Sequence, residues 1–135
     1  MGPAIAARLD TLGAALERAC PHLTFAYLFG SQATGRTGPR SDVDVAVYLE
    51  GATDPMRARL DLASAAAAHL GTDHVDLIVL NGAPLSLVGR ILQTRRVLVD
   101  RDPFLRHRYE SLTARMFHDF RIREHRMLEQ RFARG

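Results

Sequence analysis

The segment YLFGSQATGRTGPRSDVDVAVYL, residues 27–49, contains two apolar runs joined by a connection rich in Gly and Ser. The first run ends at Gly30, which can turn the backbone and approach a ligand closely because it has no Cβ. The second run begins at Asp42 and is rich in β-branched residues, which favours a strand over residues 42–49. The segment therefore predicts two strands joined by a turn and a loop.

Two carboxylates stand at the start of the second run. Asp42 and Asp44 are two residues apart, so both side chains project from the same face of a strand, while Val43 and Val45 pack on the opposite face. Paired carboxylate oxygens suit a hard divalent cation, and such an ion can neutralise triphosphate charge and activate an attacking oxygen. The pair predicts an oxygen-ligated metal site.

The turn between the two runs has features of a phosphate site. Ser31 can cap a short helix over residues 31–35, and a helix N-terminus presents unpaired N–H groups and a positive dipole end to a triphosphate. Taken singly, Gly30 with Ser31 is also a common turn, and an Asp-x-Asp pair is often a solvated strand end. The two motifs in one strand-turn-strand context favour a metal-dependent nucleotidyl-transfer site.

The stretch from Phe29 to Val47 resembles the signature of the minimal nucleotidyltransferases, the small members of the DNA polymerase β-like superfamily. Ala33, Gly35 and Ser41 also match that pattern. The resemblance implies a polymerase β-like palm fold, two bound Mg²⁺ ions and ATP as the donor substrate. It further implies a third acidic residue on a later strand.

The run HVDLIVL, residues 74–80, is the suitable apolar run downstream with an internal acid. We therefore expect Asp76 to be the third acid, buried beside the other two and able to accept the proton of an attacking hydroxyl. Asp73, in the preceding turn, is the rival candidate. A simpler alternative is that Asp76 only caps or frays the strand.

Periodicity and breaker residues predict the remaining elements. The pattern indicates an α+β fold in which a small mixed sheet of about four strands is flanked by helices and followed by a long C-terminal helix. We expect a single nucleotidyltransferase domain over residues 1–135, with a core of about residues 1–100. The expected helices are 3–19, 31–35, 55–70, 84–94 and about 103–132, and the expected strands are 23–29, 42–49, 74–80 and 96–99.

The C-terminal helix carries two features of interest. Its apolar positions recur every three to four residues over about eight turns, longer than a small domain usually needs. The stripe either packs entirely on the core or exposes part of itself to a partner. All 18 basic residues are Arg, and residues 101–135 hold nine of them against five acids. Such a face can bind an acidic partner or be simply solvated, and we expect no direct nucleic-acid binding.

Three bulk properties limit the location and the chemistry. The chain has no run of about 20 apolar residues and no N-terminal signal pattern, so we expect a cytoplasmic protein without membrane contact. The single cysteine, Cys20, is expected to be a buried structural thiol. The six histidines lack the spacing of a metal pair, and none is expected to be a ligand.

The resemblance to the minimal nucleotidyltransferases also implies a partner. It implies that this chain is the antitoxin of a HEPN ribonuclease toxin, which it silences by transferring AMP to a tyrosine. Two alternatives remain open. The chain could neutralise its partner by occlusion alone, or it could act as a homodimer that transfers a nucleotide to a small molecule at a site shared between subunits.

Overall fold

The computed structural model describes residues 3–34, 42–51 and 54–133. The predicted loop over residues 35–41, including Gly35 and Ser41, lies outside these ranges. The elements in chain order are α1 (Pro3–Leu9), α2 (Leu12–Ala19), β1 (Leu23–Phe29), α3 (Ser31–Thr34), β2 (Val43–Leu49), α4 (Pro55–Leu70), β3 (Val75–Val79), α5 (Leu85–Thr94), β4 (Arg96–Asp100) and α6 (Pro103–Ala133).

Across the described ranges, four strands form one sheet in the order β3-β2-β1-β4. Strand β1 is antiparallel to both β2 and β4, whereas β2 and β3 are parallel. The predicted mixed sheet is therefore confirmed. Asn81 extends the β2–β3 ladder because its Oδ1 accepts the Leu49 N–H at 2.9 Å and its Nδ2 donates to the Leu49 carbonyl at 2.8 Å.

Helices cover both faces of this sheet. Helices α1, α2 and α4 pack on one face around an aliphatic core that includes Leu12, Leu16 and Leu62, all without solvent exposure. Helices α5 and α6 pack on the other face, where Phe25, Tyr27, Tyr48 and Tyr109 form an aromatic cluster. The two layers agree with the α+β class predicted from the sequence.

The N-terminal helix differs from the prediction of one helix over residues 3–19. The chain turns at residues 10–11, where Thr11 has φ −108° and its Oγ1 lies 2.8 Å from Nε2 of His69. Gly13 then approaches β4 so closely that a Cβ on it would collide with the carbonyl oxygen of Leu98. The break allows α1 to contact α4 while α2 lies directly against β4.

The boundaries of α4 match the predicted helix over residues 55–70. The Asp54 side chain caps the helix by accepting the Met56 N–H at 3.0 Å. Gly71 ends the helix with φ +70°, and its N–H donates to the Ala67 carbonyl at 2.8 Å. Cys20 is buried and free, as expected.

Helix α6 has 31 residues and is therefore about 46 Å long. Its first half packs against α5 and the sheet, whereas residues 118–131 are exposed on every side. A fully buried stripe is therefore the wrong alternative, because the apolar face that is packed at Tyr109 continues outward into solvent. The exposed fractions along it are 52% for Leu112, 48% for Met116, 45% for Phe120 and 69% for Met127.

A buried carboxylate holds the first half of α6 in place. Glu110 is 8% exposed and accepts hydrogen bonds from Tyr27 Oη at 2.9 Å and Arg95 Nε at 2.8 Å. Arg106 Nη1 adds a third donor at 3.0 Å. Glu110 and Arg106 are therefore part of a buried network and are not simply solvated. No helix in the described ranges is both long and apolar enough to cross a membrane.

Candidate functional site

Asp44 lies at the centre of the candidate site because of the strand register. It stands opposite Phe29 on β1 and opposite Asp76 on β3. Val43 and Val45 are buried on the other face of β2, as the alternation predicts. The sheet therefore places Asp44 beside both the Gly30 turn and the third predicted acid.

The charges of Asp42 and Asp76 act on the carboxyl group of Asp44. Partial burial raises the pKa of the Asp44 carboxyl, and the negative charges of Asp76 and Asp42 raise it further. Asp42 lies just before β2, exposed, with its Oδ1 3.5 Å from Nδ1 of His74. Repulsion within this group favours a bound cation, since a positive charge stabilises all three ionised carboxylates.

Asp76 is placed differently from the prediction in one respect. It occupies the register position opposite Asp44, and the rival Asp73 lies in the bend before β3. However, Asp76 is exposed rather than buried, because β3 is an outer strand of the sheet. An acceptor that approaches from solvent can therefore reach this carboxylate.

Gly30 makes room for the Asp44 carboxylate. It has φ +73°, and a Cβ on it would lie 2.5 Å from Oδ2 of Asp44. Its N–H is not free for a phosphate, since it donates to Oγ1 of Thr94 at 3.0 Å. The carbonyl of Gly30 accepts the Thr34 N–H at 3.4 Å, so Ser31 is the first residue of α3 and not its cap as predicted.

The donor set fits Mg²⁺ better than a transition metal, because it consists of carboxylate oxygens. Within residues 3–34, 42–51 and 54–133, no group of three or more His, Cys, Asp or Glu side chains is arranged to hold a metal by itself. This is compatible with Mg²⁺, which commonly takes one or two carboxylates and completes its shell with water and substrate phosphates. The residues present therefore fit a metal that binds together with a triphosphate.

Two residues of the site were missed by the sequence analysis. Thr94 contacts Gly30 from the end of α5, and His74 contacts Asp42 from the residue before β3. Neither belongs to a motif with fixed spacing, and only the folded sheet brings them to the Gly30 turn and the acids. The run at 74–80 gave an indirect signal for His74, since the strand predicted from it begins at that residue.

The acids beside the Gly30 turn on this mixed sheet have the arrangement that the sequence predicted for nucleotidyl transfer. Residues 13–104 match the family model described as Polymerase beta, Nucleotidyltransferase. This match spans more than half of the chain, and the chain therefore belongs to that family. It is a nucleotidyltransferase.

The same fold occurs in solved toxin–antitoxin complexes. The chain is similar to one in a crystal structure described as a toxin-antitoxin with AMP-PNP, with 26% identity, a TM-score of 0.73, and 91% of this chain and 98% of that chain covered. It is also similar to a chain in a tri-AMPylated Shewanella oneidensis HEPN toxin complex with MNT antitoxin, with 23% identity, a TM-score of 0.69, and 95% and 98% covered.

A third similar chain belongs to a toxin-antitoxin MntA-HepT structure, with 23% identity, a TM-score of 0.68, and 93% of this chain and 97% of that chain covered. At 23% identity the second and third likenesses concern the fold alone. No curated protein matches the sequence.

Proposed function

We propose that this nucleotidyltransferase transfers AMP from ATP to a tyrosine hydroxyl of a HEPN ribonuclease toxin in the cytoplasm, and so acts as an antitoxin. The observation that carries the proposal is the register that sets Asp44 opposite Asp76, beside the Gly30 turn. The similarity to a toxin-antitoxin chain solved with AMP-PNP supports both the donor and the class of partner. We place the whole activity in a single domain over residues 1–135.

Asp42, Asp44 and Asp76 are the proposed ligands of two Mg²⁺ ions. The raised pKa of Asp44 supports this, because it reflects burial and two neighbouring negative charges that a cation would offset. When bound, Mg²⁺ would neutralise the triphosphate and lower the barrier to attack at phosphorus. The remaining chemistry is carried by groups of the chain.

The transfer step follows from the placement of these groups. Ser31 and the Gly30 turn position the β- and γ-phosphates, and Asp76 accepts the proton of the tyrosine hydroxyl. The tyrosine oxygen forms a bond to the α-phosphorus while the bond between that phosphorus and the bridging oxygen to the β-phosphate breaks. Pyrophosphate leaves with the electron pair. Asp76 is exposed, so a protein hydroxyl that approaches from solvent can reach its carboxylate.

The exposed apolar face of α6 is the proposed docking surface for the toxin. We call the residues Leu112, Met116, Phe120 and Met127 the α6 stripe. Such a run of large apolar side chains is unfavourable in water and typical of an interaction site. It continues the face that already packs on the sheet at Tyr109, so a partner on the stripe would lie against the body of the protein.

Label transfer in a lysate of the native host tests the proposal. ATP labelled at the α-phosphate and ATP labelled at the γ-phosphate are supplied in parallel with Mg²⁺. A protein band that carries only the α label is expected with the wild type and absent with Asp44→Asn. Asp61→Asn is the matched control, because Asp61 is exposed on α4 and pairs with Arg57 at 3.4 Å, away from the site.

The other outcomes identify the alternatives. A partner that co-purifies without acquiring the α label would favour neutralisation by occlusion. Transfer of the α label by the purified protein to a small alcohol would favour the homodimeric small-molecule enzyme. Either result would contradict the proposed modification of a toxin.

A further inference from the structure

We propose that Thr94 is a positioning residue of the site, which holds the Gly30 turn in the conformation that accepts the triphosphate. Its Oγ1 accepts the Gly30 N–H at 3.0 Å across 64 positions of sequence. Thr94 is the last residue of α5, and Gly30 follows the last residue of β1. The inference rests on the proposed function of the Gly30 turn and adds a residue to it.

The bond acts at the most constrained point of the site. Gly30 has φ +73°, and its Cα faces Oδ2 of Asp44 too closely for any side chain. A shift of the turn toward β2 would therefore push on the Asp44 carboxylate, and a shift away would open the phosphate position. Thr94 fixes the turn between these two displacements through its hydrogen bond to the Gly30 N–H.

Thr94 is itself held firmly. The next residue, Arg95, donates from Nη1 to the Leu92 carbonyl at 2.6 Å and from Nε to Glu110 Oε2 at 2.8 Å. These bonds tie the end of α5 to its own last turn and to α6. The Glu110 carboxylate also accepts from Tyr27 on β1, the strand that leads into Gly30. Thr94, which accepts the Gly30 N–H, is therefore linked through Arg95 and Glu110 to β1, the strand that precedes Gly30.

The hydrogen bond between Gly30 and Thr94 also determines which N–H groups of the turn can bind phosphate. Because Gly30 N–H is occupied, the phosphate-binding donors of the turn begin at Ser31. A hydroxyl at position 94 is needed for this arrangement, since a methyl group in the same place accepts no hydrogen bond. Serine keeps the acceptor, whereas valine keeps the shape of threonine and removes it.

The experiment compares Thr94→Val with Thr94→Ser in the full chain. Thr11→Val is the matched control, because Thr11 makes comparable side-chain hydrogen bonds on the opposite side of the sheet. The first readout is hydrogen exchange of the Gly30 amide by NMR, and the second is kcat and KM for ATP in transfer of the α label. Loss of one net hydrogen bond corresponds to a change of about tenfold in an equilibrium constant or a rate constant.

We expect Thr94→Val to exchange the Gly30 amide about tenfold faster and to lower kcat/KM for ATP by about tenfold, while Thr94→Ser and Thr11→Val stay near the wild type in both. Unchanged exchange in Thr94→Val would overturn the proposal, and so would faster exchange with unchanged kcat/KM for ATP. Equal losses in Thr94→Ser would also overturn it. Should Thr94→Val fail to fold, Thr94→Ala takes its place.

The test separates this inference from the proposed function. If the wild type transfers no label, the affinity for ATP in the presence of Mg²⁺ is measured by equilibrium dialysis. This affinity then replaces the kinetic constants as the second readout. Binding about tenfold weaker in Thr94→Val than in Thr94→Ser then supports the positioning role. Equal affinity of the two variants overturns it.

Discussion

Gly30 and Asp44 lie so close that a Cβ on Gly30 would be 2.5 Å from Oδ2 of the Asp44 carboxylate. The glycine also has φ +73°, where other residues are strained. The turn and the carboxylate therefore fix each other's position. The strand pairing that brings Phe29 opposite Asp44 places the next residue, Gly30, against that carboxylate.

Replacing Gly30 by alanine is expected to abolish most of the activity. The change adds about 1 to 2 kcal/mol of left-handed strain and displaces the Asp44 carboxylate, and a misplacement of about 1 Å can lower the rate about 100-fold. The initial rate of α-label transfer measures the effect. Gly82→Ala is the matched control, because Gly82 has φ +77° but nothing within 4 Å of a Cβ. Similar activity losses in both variants would contradict the specific role of Gly30.

Asp44→Asn is expected to remove activity while raising the unfolding temperature of the metal-free protein. The raised pKa of Asp44 means that its ionised form destabilises the folded state, and asparagine removes that charge. Loss of a metal ligand removes several kcal/mol of charge stabilisation, which is a rate decrease of about 1000-fold. Thermal unfolding with and without Mg²⁺ provides the measurement. Added Mg²⁺ should stabilise the wild type more than the variant, and the reverse order would count against the metal assignment.

Glu110→Ala is expected to lower the free energy of unfolding by about 3 kcal/mol, because it leaves buried donors without their acceptor. The Tyr27 hydroxyl loses its hydrogen bond to Glu110, and Arg95 and Arg106 lose an ion pair each. Urea unfolding measures the change. Glu124→Ala, on the exposed half of α6, should change the stability by less than about 0.5 kcal/mol. Equal effects of the two substitutions would show that the buried network contributes little.

The stability of the fold is expected to decrease in alkali. Burial is the main cause that raises the pKa of Tyr109 from 10.0 to about 12, and burial with the Glu110 hydrogen bond raises the pKa of Tyr27 still further. Both groups bind their protons more tightly in the folded state. The contribution of Tyr109 is therefore complete below about pH 10 and is lost as the pH rises towards about 12, whereas that of Tyr27 is lost further into alkali. Urea midpoints across this interval should fall less steeply in Tyr109→Phe than in the wild type, and parallel curves would argue against the shift.

The α6 stripe is expected to bind the partner through its outer end. Phe120→Asp combined with Met127→Asp should lower α-label transfer to the partner by at least about tenfold, since burial of each large apolar side chain contributes about 1.5 to 3 kcal/mol. Both side chains are exposed, so stability should change by less than about 0.5 kcal/mol. Phe104→Asp is the matched control, because Phe104 is 80% exposed at the start of the same helix. Loss of transfer only in Phe104→Asp would instead place the docking surface at the N-terminal end of α6.

Much of this fold could be predicted because local signals and tertiary packing agree. Helix α4 begins after Asp54 and ends before Gly71, where capping chemistry places its boundaries. The alternation from Val43 to Val47 matches the buried face of β2. The break before α2 could not be predicted, because the apolar spacing continues through it. The close approach of Gly13 to Leu98 that accompanies the break is a contact distant in sequence.

The site likewise contains residues that could be predicted from the sequence and residues that could not. Asp42, Asp44 and Gly30 were found from spacing, and their roles stay predictions that the experiments above address. The exposure of Asp76 depends on β3 being an outer strand, which the residues of β3 do not reveal. Thr94 and Glu110 were missed because a single polar residue in an amphipathic helix carries no pattern of its own. Their partners, Gly30 and Tyr27, are 64 and 83 positions away.

The most direct test of the account compares Asp76→Asn with Asp73→Asn in α-label transfer from ATP to the partner protein. Both substitutions remove one negative charge within three residues of each other, but only Asp76 stands opposite Asp44. We predict that Asp76→Asn loses transfer by at least about 100-fold, in line with loss of a general base, and that Asp73→Asn transfers at the rate of the wild type. Normal transfer by Asp76→Asn would contradict the account.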